Sequence, residues 1–166
     1  MYPTIYPDGL TQVYSTLQDL HRSGLSPGVF RSLHNGGRVY QLVKNNHASA
    51  LTVGDPICID MLAADTDSEV KQFVTATFGQ PLGVAMGDIP ASGFGWVCRY
   101  GYVAAVRVKG DGTAIVAGDS LKPVTATFTL IHDTDVGVEA AFAAHVRALD
   151  GATAADTTIE GFVRGW

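Results

Sequence analysis

Charge is scarce in this chain. Charged residues fill 16% of its 166 positions, against roughly 25% in an average soluble protein. Little charge is available to cover an isolated surface, which fits either burial against a partner or a copy, or a compact β-rich monomer. Basic residues are the scarcer kind. Eleven Lys plus Arg face sixteen Asp plus Glu, for a net charge of −5, and they are scattered singly rather than gathered into a stripe that could track phosphates. Nucleic-acid binding is disfavoured. Long apolar runs are also missing. None approaches the roughly 18 residues of a membrane span, and the opening MYPTIYPDG has neither the basic start nor the apolar core of a signal peptide. The expectation is a soluble, non-membrane protein made in the cytoplasm. Only two cysteines occur, Cys58 and Cys98, each in an apolar or alternating run. They read as reduced strand residues rather than a disulfide or a metal pair.

What is present is glycine, at 19 residues, and 46% apolar residues. The length suits one main domain with a sizeable core. Near the start, DGLTQVYSTLQDLHRSG spaces Leu10, Val13, Tyr14, Leu17 and Leu20 along one helical face. Asp8 can cap this helix, and Gly24 with Pro27 can end it. The apolar face must be buried, either on the chain's own core or, as an arm, on a neighbouring subunit. Residues 1–28 are therefore read as an arm and 29–166 as a β domain.

From Val29 the apolar period changes from 3.6 to 2, in short runs divided by Gly, Pro, Asn and Asp: RVYQLV, PICIDM, KQFVTATF, PLGVAM, GWVCRY, YVAAVRV, AIVAGDSL, TATFTLI and IEGFVRGW. Val, Thr, Phe and Tyr dominate them. The spacing predicts an all-β fold, a barrel, β-tulip or sandwich, with a short N-terminal helical arm. In the Ala-rich VGVEAAFAAHVRALDG the reading favours a strand over Ala144 to Leu149. A weak internal repeat also shows. VGDPI, GVAM and GFGWVCRYG recur about 64 residues later as AGDSL, HVRAL and IEGFVRG.

The repeat bears on Gly118-Asp119-Ser120-Leu121, which spells the signature of a serine esterase family. Its counterpart in the first half is Gly54-Asp55-Pro56-Ile57, so Pro56 stands where Ser120 stands. A serine nucleophile needs a histidine base, a carboxylate to orient it and donors for the oxyanion. Only 46 residues follow Ser120, no Asn follows Asn46, and no histidine has an Asp three positions before it. The tetrapeptide reads as a turn and a strand start. Likewise His132, Asp133 and Asp135 read as a polar loop rather than metal ligands, and Asp65, Asp67 and Glu69 lack the glycine and final glutamate of a calcium loop. No catalytic residue, cofactor site or metal site is expected, and the chain is read as a non-enzyme.

Several ordered elements resemble a known family. Gly37-Arg38-Val39-Tyr40, Ala48-Ser49-Ala50-Leu51 and Gly54-Asp55-Pro56, the end ALDGATAADTTIEGFVRGW, and the middle GQPLGVAMGDIPASGFGWVCRYG resemble capsid decoration, or cement, proteins of tailed bacteriophages. Together they cover about half the chain. The resemblance implies a virion protein on the capsid exterior, a homo-dimer or homo-trimer that clamps neighbouring subunits of the major capsid protein, with the host cytoplasm as its place of assembly. Such a clamp works by buried area and number of copies, not by a reactive group. On this reading Leu10, Val13, Tyr14, Leu17 and Leu20 dock the arm on a neighbour, and Trp166 packs at an interface. The alternative is a glycan- or receptor-binding β module of a tail or fibre, for which alternation would set Phe94, Trp96, Tyr100 and Tyr102 on one face as an aromatic platform.

Overall fold

Alternation from Arg38 onward, broken by glycine and proline, builds strands through most of the chain. The computed structural model describes residues 13–25, 27, 30–33, 37–59, 69–72, 82–110, 112–124, 126–133, 146–153 and 157–164. In chain order these form α1 (Leu17–Arg22), β1 (Phe30–Leu33), β2 (Arg38–Asn45), β3 (Pro56–Ile59), β4 (Glu69–Lys71), β5 (Leu82–Ala85), β6 (Phe94–Val108), β7 (Ser120–Pro123), β8 (Leu130–His132), β9 (Val146–Ala148) and β10 (Thr157–Arg164). The fold is all-β, one mixed sheet in the order β1-β2-β4-β3-β5-β6-β10-β9-β7-β8.

That sheet closes on itself twice. β2 also pairs with β6, which makes a ring of β2, β4, β3, β5 and β6; β6 also pairs with β8, which makes a second ring of β6, β8, β7, β9 and β10. Two five-stranded barrels are thus fused along one strand, and each ring closes on itself, while β1 pairs with β2 alone and lies outside both rings. β6 is the fusion element. Its first part, Phe94 to Tyr100, pairs with β2, and its second, Tyr100 to Val108, pairs with β10. The runs GWVCRY and YVAAVRV leave open whether Gly101 breaks a continuous strand. The structure shows one continuous strand of 15 residues, in which Gly101 takes φ +110° and a Cβ there would lie 2.8 Å from Cγ of Arg38. Glycine turns the strand between barrels without ending it.

The two barrels repeat each other in detail. In the first, Gly54 N–H donates to Ala85 O (2.9 Å), Ala85 N–H to Asp55 O (3.0 Å), and Leu51 bridges Ile89; in the second, Gly118 N–H donates to Ala148 O (2.9 Å), Ala148 N–H to Asp119 O (2.9 Å), and Ile115 bridges Ala152. Strand registers correspond as well: Pro56↔Val84 and Ile57↔Gly83 match Ser120↔Arg147 and Leu121↔Val146. The interior of the first barrel holds Val43, Leu51, Ile57, Val70, Ala85, Ile89 and Val97. At the matching places in the second stand Val106, Ile115, Leu121, Leu130, Ala148, Ala152 and Gly161, where Gly161 faces Val106 and Val146.

The helix is shorter than its periodicity suggests. α1 spans only Leu17–Arg22, whereas Tyr14 is extended and forms an antiparallel bridge with Phe94 through hydrogen bonds of 2.8 and 2.7 Å. Pairing with β6 outcompetes the helix there. Thr16 then serves as the cap, its Oγ1 accepting from Asp19 N–H (3.1 Å) and donating to the Asp19 carboxylate (2.6 Å). Asp8, the cap suggested by the sequence, lies outside the described residues. The strand expected over Ala144 to Leu149 is β9, at Val146–Ala148.

Candidate interaction surface

Of the residues expected to make interfaces, Leu10 and Trp166 lie outside the described residues, and Leu17 and Leu20 fall within α1. Val13 is 37% exposed, and Tyr14, at 7%, packs on its own barrel beside Phe94. Two glycines admit this segment. A Cβ on Gly93 would lie 3.1 Å from Tyr14 O, and one on Gly95 would lie 3.3 Å from Val13 Cγ1. At least at Tyr14, the N-terminal segment is part of the first barrel's own packing.

Gly118-Asp119-Ser120-Leu121 is a turn and a strand start. Gly118 has φ +97°, the Asp119 carboxylate accepts from Val116 N–H (2.8 Å), and Ser120 opens β7 opposite Arg147. Asp119 also lies 3.5 Å from Nε2 of His132, and Asp133 3.2 Å from Nζ of Lys122. Among the described residues no group of three His, Cys, Asp or Glu side chains could hold a metal ion.

Among the described residues, the first barrel carries buried polar groups that the second does not. Arg99 is 6% exposed and donates through Nη1 to Oε1 of Gln41 at 2.5 Å, and its Nε has no hydrogen-bond partner among the described residues. Burial lowers the pKa of this guanidinium. The strand registers place Val163 and Val103 at the corresponding points of the second barrel. At the other end, fully buried Asn45 donates to the carbonyls of Ser49, Ile89 and Pro90, where the second barrel has Val108.

The outer faces differ in the opposite sense. On the first barrel Tyr40, Leu42, Cys58, Val84, Trp96 and Cys98 are all at most 1% exposed, packed with Tyr14, Phe94 and the half-buried Leu25 and Met86. Phe94 and Trp96 are therefore core residues, and only Tyr100 and Tyr102 of the anticipated aromatic platform reach the surface. On the second barrel the matching positions hold Tyr102, Lys122, Arg147, Glu160 and Phe162, exposed or half-exposed. Here Arg147, Phe162 and Tyr102 lie side by side across β9, β10 and β6. Tyr100, 44% exposed, meets Phe162 edge-on at 5.3 Å, Arg164 pairs opposite Tyr100, and the Arg38 guanidinium lies 4.9 Å from the Tyr102 ring. Glu160 accepts from the Tyr102 hydroxyl and holds its pKa above the ordinary value. Reading the strands singly missed Arg38, Arg147, Arg164 and Phe162. The strand registers set Glu160, Phe162 and Arg147 where Trp96, Cys98 and Val84 stand, whereas the letters of the repeat match Gly161-Phe162-Val163 to Gly95-Trp96-Val97 and so do not show it.

No family model and no curated protein matches this chain. Its fold is similar to the crystal structure of the head fiber gp8.5 N base in bacteriophage phi29, with a TM-score of 0.50 and 18% identity, over 77% of this chain and 96% of that one. At this identity the likeness is one of fold.

Proposed function

We propose that this chain is a structural protein of a phage head, carried on the capsid exterior, where it grips neighbouring subunits of the major capsid protein and stabilises the shell. The observation that supports the reading is the fold shared with nearly the whole of a head fiber base. The physical character of the molecule agrees with it. Two closed barrels fused through β6 make a compact block, and a block that acts by repeated contact needs no reactive group. In this reading the chain is not an enzyme and takes no cofactor. It assembles as a homo-dimer or homo-trimer, and the N-terminal arm contributes to attachment.

Co-sedimentation with phage heads that lack the protein tests this proposal. The expected result is saturable binding at a fixed ratio to the major capsid protein. A form lacking residues 1–12 retains Tyr14 and its bridge to Phe94, and weaker binding by that form would assign attachment to the arm. Protein that stays in the supernatant at every concentration would overturn the head-surface reading. Ester hydrolysis abolished by Ser120→Ala would overturn the non-enzymatic one.

A further inference from the structure

We infer that the outer face of the second barrel is where a second copy of this chain docks, a step that deepens the proposed function and rests on it only for its setting on a head. The face combines the two features that mark energetically important contact surfaces, aromatic area and arginine. Tyr100, Tyr102 and Phe162 form its apolar part, with Tyr100 44% exposed and set edge-on to Phe162. Arg38, Arg147 and Arg164 border it. Arg147 and Arg164 are exposed, and Nε of Arg38 is buried with no hydrogen-bond partner among the described residues.

The occupant follows from charge and from the internal repeat. Three arginines against two carboxylates, Glu160 and Asp150, the latter accepting from Glu160 N–H at 2.7 Å, leave this face net basic on a chain whose net charge is −5, so the rest of the molecule is more acidic than the whole. A second copy therefore offers the complementary sign at matching stoichiometry. Face-to-face pairing of two basic patches would repel, so the contact joins this face to a different, acidic surface of the next copy, a head-to-tail arrangement that closes into a ring when the rotation between copies is that of a homo-trimer. The first barrel supplies the structural precedent. Its equivalent outer face is covered, and side chains of the same sequence, Tyr14 and Leu25, take part in the cover.

Sedimentation equilibrium of the full chain tests the inference, in dilute buffer and in about 0.5 M salt, where screening is strong beyond a few ångströms. Association is expected in dilute buffer and should weaken with salt. R147E/R164E, two exposed substitutions whose folding is checked by urea denaturation, should weaken it at least about tenfold, the size of effect expected for reversing interfacial charge. Glu160→Gln removes one of the two opposing carboxylates without adding bulk and should tighten association. A protein monomeric at every concentration, or an association indifferent to both variants, would overturn the inference. Head binding separates this result from the broader reading. A monomer that saturates heads and loses them on R147E/R164E would give this face to the head protein instead, whereas an oligomer that obeys the charge variants but binds no heads would sink the head-surface reading alone.

Discussion

Asp55 and Asp119 occupy the same point of the two barrels, each accepting a hydrogen bond from the backbone N–H three residues before it, yet only Asp55 also joins one barrel to the other. Its second oxygen receives Nη1 of Arg107 at 2.7 Å, with the carboxylate 2% exposed. Arg107 belongs to the part of β6 that lines the second barrel, and its N–H donates to Gly54 O. Asp119 is 19% exposed, and its one ion-pair neighbour among the described residues is His132, at 3.5 Å within its own barrel. Asp55→Ala leaves Thr52 N–H without its acceptor and should cost about 2–4 kcal/mol, because a buried, paired carboxylate is lost. Asp119→Ala should cost about 0.5–1.5 kcal/mol. Urea denaturation of the two variants measures the difference, and equal losses would mean that Asp55 does not couple the barrels.

The Arg99–Gln41 pair lends itself to a transplant. Removing Gln41 alone, as Gln41→Val, takes from a buried cation its one neutral acceptor on β2 and should destabilise by about 2–4 kcal/mol. Replacing both, as Q41V/R99V, copies the second barrel's Val103 and Val163 into the first. Buried polar pairs exchanged for apolar residues are often neutral or stabilising by about 1–4 kcal/mol, so the double variant should be at least as stable as the parent. A double variant no better than Gln41→Val would show that Arg99 is needed for more than its pairing with Gln41.

Packing inside the barrels trades large for small between the halves. In the first, Ile89 fills the space over Gly95, where a Cβ would lie 2.6 Å from Ile89 Cγ1; in the second, Ala152 and Ile159 hold the matching places. Gly95→Val alone should overpack the first barrel by about 1–3 kcal/mol, and Ile89→Ala alone should open a cavity worth about 2–5 kcal/mol. Together they restore the second barrel's arrangement, so I89A/G95V should cost clearly less than the two losses added. Simple additivity would show that the two sites do not share one space.

Much of this architecture could be read from the letters, and what could not has a physical cause. Period-2 runs with glycine and proline breaks located most of the described strands, though not β1 (Phe30–Leu33) and only the last residue of β4, and the two Gly-Asp turns stood out because their chemistry is local. Residues 10–20 read as a helix because their apolar spacing is helical, but the spacing cannot show that Phe94 offers Tyr14 a backbone partner. Gly101 left the strand's continuity open because a strand glycine often marks a bulge or close backbone approach, and only tertiary closure shows β6 passing through it. Phe94 and Trp96 looked like surface aromatics for a related reason. Alternation identifies two faces, but the covering of the first barrel's outer face depends on segments far away in sequence. The proposed interaction surface lies across β2, β6, β9 and β10, and no single run of residues displays it.

Cys98 should set an alkaline limit on stability. Its thiol is buried between Tyr40 on β2 and Val84 on β5, and burial pushes its pKa from the ordinary 9.0 up to about 11. The folded state thus favours the neutral thiol, while the unfolded chain releases the proton near 9. The resulting stabilisation is complete below pH 9 and is lost as pH rises towards 11, because the unfolded state then binds fewer protons than the folded one. A shift of this size corresponds to a loss on the order of 2 kcal/mol, and Tyr40, whose pKa burial also raises, adds to it above pH 10. Urea denaturation from about pH 8 to pH 11 measures the slope. Cys98→Ala should lower stability at neutral pH by about 1 kcal/mol through lost packing while flattening the alkaline fall. A Cys98→Ala variant that declines as steeply as the parent would show that another group sets the limit. Thiol reagents supply an independent reading, since a protonated, buried Cys98 should react at pH 8 only as fast as the protein unfolds.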